Sequence, residues 1–215
     1  MPSIVPCITV ETVEEYKKAV ARLEPFTERV HIDISDGEFA PRKLIDPTQL
    51  NWPSNWKADI HVMAKKPRQY LQHLVSLKPH TIILHAEADE DILPLLGYIK
   101  DNGVRPGVAL LRRTVPSDVQ PMIEIAEYAM VFSGDLGHYG GKASMMQVEK
   151  VKLLRKLKLE LEIAWDGGVS VENVSTLVRS GVDVLNSGGA INNAADPQAA
   201  YNSLVAEMDN HPTFF

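Results

Sequence analysis

The strongest constraint on the fold is an alternation, repeated eight times, of a short apolar run with a longer helical segment. The runs are rich in Val, Ile and Leu, which is typical of buried parallel strands. They span residues 3–10, 29–34, 58–62, 80–85, 104–111, 128–132, 161–165 and 182–186. Helices are predicted at residues 13–23, 67–77, 90–102, 117–126, 144–157, 171–179 and 197–208, with a helical turn near 47–50. This pattern predicts a closed (β/α)8 TIM barrel in one domain, residues 1–215, and an open doubly wound sheet is the alternative.

Charge and apolar run length narrow the choice of partners. The 215 residues contain 22 Lys and Arg against 28 Asp and Glu, a net charge of -6, which disfavours nucleic acid as a partner. The apolar runs are far shorter than the roughly 18 residues needed to cross a bilayer, and a signal peptide pattern is missing. We therefore expect no membrane partner and a cytoplasmic location. Cys7 is the single cysteine, which excludes an intramolecular disulfide.

Polar side chains stand near the C-terminal ends of three predicted strands, which is where a TIM barrel has its active site. His31 and Asp33 share one face of the second strand because side chains alternate, and their apolar neighbours are expected to face the helices. His61 alternates with apolar residues in the same way, and Asp166 ends the seventh strand. A buried carboxylate needs a cation or a set of donors. These four residues therefore predict a cage for a divalent metal such as zinc, manganese, iron or cobalt.

Glycine pairs follow the last three predicted strands. Glycine lets backbone N–H groups approach an anion closely, and the loops after strands seven and eight of this fold commonly bind phosphate. Lys142 adds a positive charge beyond the first pair. The alternative is that such pairs only form tight turns. The predicted phosphate-binding residues are Gly140, Gly141, Lys142, Gly167, Gly168, Gly188 and Gly189. They indicate a small phosphorylated molecule as the partner.

Six segments together resemble the ribulose-phosphate 3-epimerase family, in its order and spacing and over nearly the whole chain. They are residues 4–8 (IVPCI), 31–37 (HIDISDG), 59–63 (DIHVM), 85–87 (HAE), 165–169 (WDGGV) and 187–191 (SGGAI). The resemblance implies that His31, Asp33, His61 and Asp166 bind a divalent metal, zinc first, with iron, manganese or cobalt as alternatives. It also implies that Asp33 and Asp166 exchange the proton when D-ribulose 5-phosphate and D-xylulose 5-phosphate interconvert through an enediolate.

The chain also departs from the family's pattern. Val10 stands where the family has a substrate-contacting serine, with Thr9 as the nearest hydroxyl, and Ser35 and Phe132 stand where methionines are common. The loop at residues 134–142 is one residue longer and contains His138 and Tyr139. Two alternatives follow. One is an epimerase or related enzyme for a six-carbon ketose phosphate such as allulose 6-phosphate, and the other is a noncatalytic phosphosugar-binding barrel. Barrels of this kind often form homo-oligomers, but the sequence does not predict a subunit number.

Overall fold

A closed ring of eight parallel strands forms the centre of the protein. The computed structural model describes residues 1–134, 136 and 141–209. Each strand pairs with its neighbours in chain order, and the first strand pairs with the last. The strands are β1 Ser3–Ile8, β2 Arg29–Ser35, β3 Lys57–Met63, β4 Thr81–His85, β5 Arg105–Leu110, β6 Tyr128–Phe132, β7 Glu162–Asp166 and β8 Val184–Ser187. The predicted (β/α)8 TIM barrel is confirmed.

Helices cover the outside of this ring, and several begin later than predicted. They are α1 Val13–Leu23, α2 Arg68–Ser76, α3 Leu93–Asp101, α4 Gln120–Ile125, α5 Val148–Leu157, α6 Val174–Arg179, α7 Gly189–Asn192 and α8 Pro197–Asp209. Helix α6 begins after a turn in which the Asn173 side chain accepts the Ser170 N–H, and α5 begins after a 3-10 turn. Short polar side chains compete with the helix for backbone groups in this way, which periodicity does not capture.

The strands alternate between an inner and an outer face as the sequence predicts. Ile32, Ile60 and Trp165 belong to the large core between the strands and the helices. The barrel interior has its own smaller apolar cluster, which includes Met130 and Val184. Because parity along a strand is fixed, the polar residues that alternate with the outer apolar side chains point into the barrel.

Charged side chains close the N-terminal end of the barrel. Arg29 Nε donates to Asp59 Oδ2 at 2.7 Å, and its two terminal nitrogens donate to the Glu162 carboxylate at 2.9 and 3.0 Å. Arg105 Nη1 donates to Glu162 Oε2 at 2.9 Å, and the Arg29 guanidinium lies 5.9 Å from the centre of the Tyr128 ring. Asp59 is fully buried, so its pairing with Arg29 offsets the cost of its desolvation.

The predictions about location and organisation are touched only in part. Within the described ranges, no helix combines the length and apolar character that crossing a bilayer requires. The single domain over residues 1–215, the cytoplasmic location and the formation of homo-oligomers stay predictions.

Candidate active site

The structure brings the four predicted metal ligands together at the C-terminal end of the barrel. One ligand atom from each of His31, Asp33, His61 and Asp166 lies within 4.8 Å of the other three. Asp33 Oδ1 is 2.7 Å from His61 Nδ1 and 3.1 Å from His31 Nε2. Asp166 Oδ2 is 3.7 Å from His31 Nε2. Pairing of β2 with β3 sets Asp33 directly beside His61, which explains the shortest of these distances.

The two carboxylates differ in their surroundings. Burial alone would raise the pKa of Asp33, but hydrogen bonds from His31 and His61 and their positive charge hold the pKa of this carboxyl well below its usual range. Burial raises the pKa of Asp166, and the nearby Asp33 carboxylate raises it further. The two acids are thus separated in their tendency to hold a proton, which a pair of acid and base groups needs.

The four side chains could hold a metal ion. Imidazole nitrogen and carboxylate oxygen together suit zinc and the neighbouring transition metals. Both imidazoles are fully buried, and Asp33 is 7% exposed. Two carboxylates this close repel one another in a medium of low dielectric constant, and a divalent cation would neutralise both. The residues present therefore fit a divalent metal.

Two further residues at this end were not predicted as site residues. The Thr9 hydroxyl donates to Asp33 Oδ2, the carboxylate oxygen that does not contact His61. The Asn186 amide lies 3.2 Å from His31 Nδ1, on the side of the ring away from Asp33. Asn186 follows Val184 with the period of two that places both inside the barrel, so the alternation of β8 could have revealed it.

A cavity of about 530 Å³ opens beside the four ligands. Predicted phosphate-binding residues that line it are Gly141, Lys142, Gly167, Gly168, Gly188 and Gly189. Gly140, like His138 and Tyr139, lies outside the described residues. The cavity therefore joins the His and Asp cluster to the loops that follow β6, β7 and β8.

Gly167 and Gly168 have a structural role that the sequence did not indicate. Both have positive φ angles, +103° and +72°. A Cβ atom on Gly167 would lie 2.2 Å from the Gly134 nitrogen, and one on Gly168 would lie 2.1 Å from the Ala143 nitrogen. The loop after β7 thus packs backbone to backbone against the loop after β6, which only glycine permits.

The departures from the family pattern lie in different places. Val10 packs against the outer core, whereas Cys7 and Thr9 line the cavity. Phe132 also lines the cavity, and its ring centre is 6.2 Å from that of His61. Ser35 is buried and accepts the Gly37 N–H. The hydroxyl that the end of β1 brings to the site therefore comes from Thr9, and Val10 belongs to the barrel exterior.

Solved structures share this architecture. A 3-hexulose-6-phosphate synthase from Salmonella typhimurium superposes with a TM-score of 0.74 at 18% identity, over 98% of this chain and 100% of that chain. The structure of KGPDC from Streptococcus mutans in complex with D-ribose 5-phosphate has a TM-score of 0.69 at 13% identity, over 98% of each chain. At such identities the likeness establishes the fold, a TIM barrel, and here that barrel carries a candidate metal centre at its C-terminal mouth.

Sequence comparison narrows this class to one family. The model of the ribulose-phosphate 3 epimerase family matches residues 2–192. The cytoplasmic isoform of ribulose-phosphate 3-epimerase from Oryza sativa subsp. japonica is 31% identical over 187 residues, which cover 84% of this chain and 82% of the relative. The chain belongs to the ribulose-phosphate 3-epimerase family, and it is an isomerase of the epimerase type.

Proposed function

We propose that the protein is a metal-dependent ribulose-phosphate 3-epimerase that interconverts D-ribulose 5-phosphate and D-xylulose 5-phosphate. The observation that carries this proposal is the meeting of Asp33 and Asp166 with two imidazoles beside a cavity that reaches the glycine loops. Inverting a carbon next to a carbonyl requires one group to remove a weakly acidic proton and another to return a proton on the opposite face. Two carboxylates with separated pKa values suit this task.

In this proposal each carboxylate serves as base in one direction and as acid in the other. Asp33 is held by the Thr9 hydroxyl and by two imidazoles, which fix the orientation of its carboxylate. Asp166 ends β7 and also stands beside His31. His31, Asp33, His61 and Asp166 would hold the divalent metal, zinc first, with iron, manganese or cobalt as alternatives. When bound, such a metal supplies Lewis-acid stabilisation of negative charge on the substrate oxygens.

The phosphate end of the substrate is assigned to the glycine loops. Gly188 and Gly189 stand at the end of β8, and Lys142 lines the same cavity. Backbone N–H groups and a lysine ammonium are suitable donors for a phosphate dianion. The complex of KGPDC with D-ribose 5-phosphate, on the same fold, supports a phosphorylated sugar as the ligand.

The test combines metal content with proton exchange. The purified protein is incubated with D-ribulose 5-phosphate in deuterated water, and deuterium at carbon 3 is measured for wild type and for Asp33→Asn. We expect bound divalent metal and exchange in the wild type. Removing one acid/base group should slow exchange by about 10²- to 10⁴-fold. Asp101→Asn, an exposed carboxylate at the end of α3, is the matched control and should exchange as the wild type does.

A panel of substrates decides between this proposal and its alternatives. Turnover of a six-carbon ketose phosphate without turnover of D-ribulose 5-phosphate would replace the proposed substrate. Tight binding of both sugars without solvent exchange at any carbon would instead indicate a noncatalytic binding protein.

A further inference from the structure

A chain of buried contacts runs from the metal ligands to the loops after β4 and β5. His61 uses one ring nitrogen toward the site, because its Nδ1 lies 2.7 Å from Asp33 Oδ1. Its other nitrogen, Nε2, lies 2.7 Å from His85 Nε2, and His85 Nδ1 lies 3.4 Å from Glu87 Oε2. Both imidazoles are fully buried. The resemblance to the family included His85 and Glu87, but the proposed reaction gives them no part.

The chemistry of these contacts determines where the hydrogens are. An ionised carboxylate only accepts, so Glu87 takes a hydrogen bond from His85 Nδ1. A neutral imidazole has one donor and one acceptor, so His85 Nε2 presents its lone pair to His61. The ring hydrogen of His61 must then be on Nε2. Its Nδ1 is left with a lone pair that faces the Asp33 carboxylate, as a metal ligand requires.

We propose that His85 and Glu87 are positioning residues that hold His61 in its Nε2–H form and so keep Nδ1 available to bind the metal. The inference rests on the metal ligands assigned under the proposed function. Metal-bound histidines generally donate their second ring N–H to a fixed acceptor. Here the acceptor is another imidazole, and the carboxylate that orients it is one residue further away.

Glu87 is well suited to fix the direction of this chain. Its second oxygen, Oε1, accepts the Leu111 N–H at 2.8 Å, and the Thr114 side chain also hydrogen-bonds to the carboxylate. Each oxygen therefore faces a donor. The His85 ring is held between aromatic neighbours, with ring centres 4.6 Å away for Phe39 and 6.2 Å away for Phe132.

An amide in place of this carboxylate would break the pattern. Glutamine has one acceptor oxygen, so its NH₂ group must face either the Leu111 N–H or the His85 Nδ1–H. In the second case His85 moves its hydrogen to Nε2, which then donates to His61. His61 would accept at Nε2 and carry its own hydrogen on Nδ1, where it blocks the metal.

The experiment compares Glu87→Gln with Glu90→Gln, both as full-length chains without sugar. Glu90 lies in the same loop, accepts the Arg68 N–H at 2.7 Å and is remote from the imidazoles. Dissociation constants for Zn²⁺ and Co²⁺ are measured by competition with a chelating indicator. We expect Glu87→Gln to bind both ions about 10- to 100-fold more weakly than wild type, in line with other losses of outer contacts. Glu90→Gln should match the wild type.

A second readout reports the tautomers directly. Nitrogen NMR of the zinc-loaded wild type, labelled with ¹⁵N-histidine, should show hydrogen on Nε2 of His61 and on Nδ1 of His85. Hydrogen on Nδ1 of His61, or failure to bind either ion, would overturn the inference even if Glu87→Gln does not fold. Equal affinity in Glu87→Gln and wild type would also overturn it, whether or not the protein is an active epimerase. Weaker binding in Glu87→Gln supports it even if D-ribulose 5-phosphate is not the substrate.

Discussion

Strand β7 carries a carboxylate at each end, and the two have opposite electrostatic surroundings. Burial would raise the pKa of Glu162, but hydrogen bonds from Arg29 and Arg105 lower it to about 2. Asp166, at the other end of the strand, faces imidazoles and a second carboxylate, and burial raises its pKa. The N-terminal end of the barrel is thus neutralised by its own side chains, whereas the C-terminal end needs a cation. Stability and chemistry are assigned to opposite ends of the same strands.

The largest expected effect is on the end that is already neutralised. Replacing Arg29 in Arg29→Met leaves the buried Asp59 without its guanidinium and removes two hydrogen bonds from Glu162. We expect a loss of about 3–5 kcal/mol in the free energy of unfolding, measured by urea denaturation. Arg179→Met, an exposed arginine on α6, should change little. Equal losses in the two variants would mean that the network does not stabilise the fold.

The pH dependence of stability sharpens the same contrast. The folded pKa of Glu162 is about 2, below the ordinary value of 4.5, so its stabilising contribution is present above pH 4.5 and is lost as the pH falls toward 2. The difference corresponds to about 3 kcal/mol. Urea denaturation between pH 3 and 6 should show the wild type losing its advantage over Glu162→Gln as the pH falls. A constant advantage across this range would contradict the assignment.

Metal addition tests the opposite end. A divalent cation that binds only the folded protein raises the free energy of unfolding by about 2.7 kcal/mol at 100 times its dissociation constant. We expect thermal unfolding with Zn²⁺ or Mn²⁺ to show this gain in the wild type and in a Glu162→Gln variant. Asp166→Asn should lose most of it. A gain that survives in Asp166→Asn would mean that the ion binds elsewhere.

The smallest effect concerns the hydroxyl that holds Asp33. Thr9→Val keeps the shape of the side chain but removes its hydrogen bond to Asp33 Oδ2. A hydrogen bond to a charged group contributes about 1.5 kcal/mol, which corresponds to roughly a tenfold lower kcat. Solvent exchange into D-ribulose 5-phosphate provides the measurement. Thr9→Ser, which retains the hydroxyl, should restore most of the rate, and failure to do so would attribute the loss to packing.

Periodicity explains which parts of this molecule could be predicted. The apolar residues on the outer face of β2 and β3 were enough to orient His31, Asp33 and His61 correctly. The pairing of Arg29 with Glu162 could not be predicted in this way, because it joins residues 133 positions apart and depends on the curvature of the closed barrel. The position of Val10 was also misleading, since alternation ends where β1 ends at Ile8.

The close contact between the loops after β6 and β7 also bears on how such an enzyme can diversify. Gly167 and Gly168 lie so near Gly134 and Ala143 that any side chain there would displace the neighbouring loop. A change in the backbone path of one loop therefore requires a matching change in the other. Evolution toward new sugars on this scaffold would alter the two loops as a pair, and a graft of one loop alone from a relative would not fit.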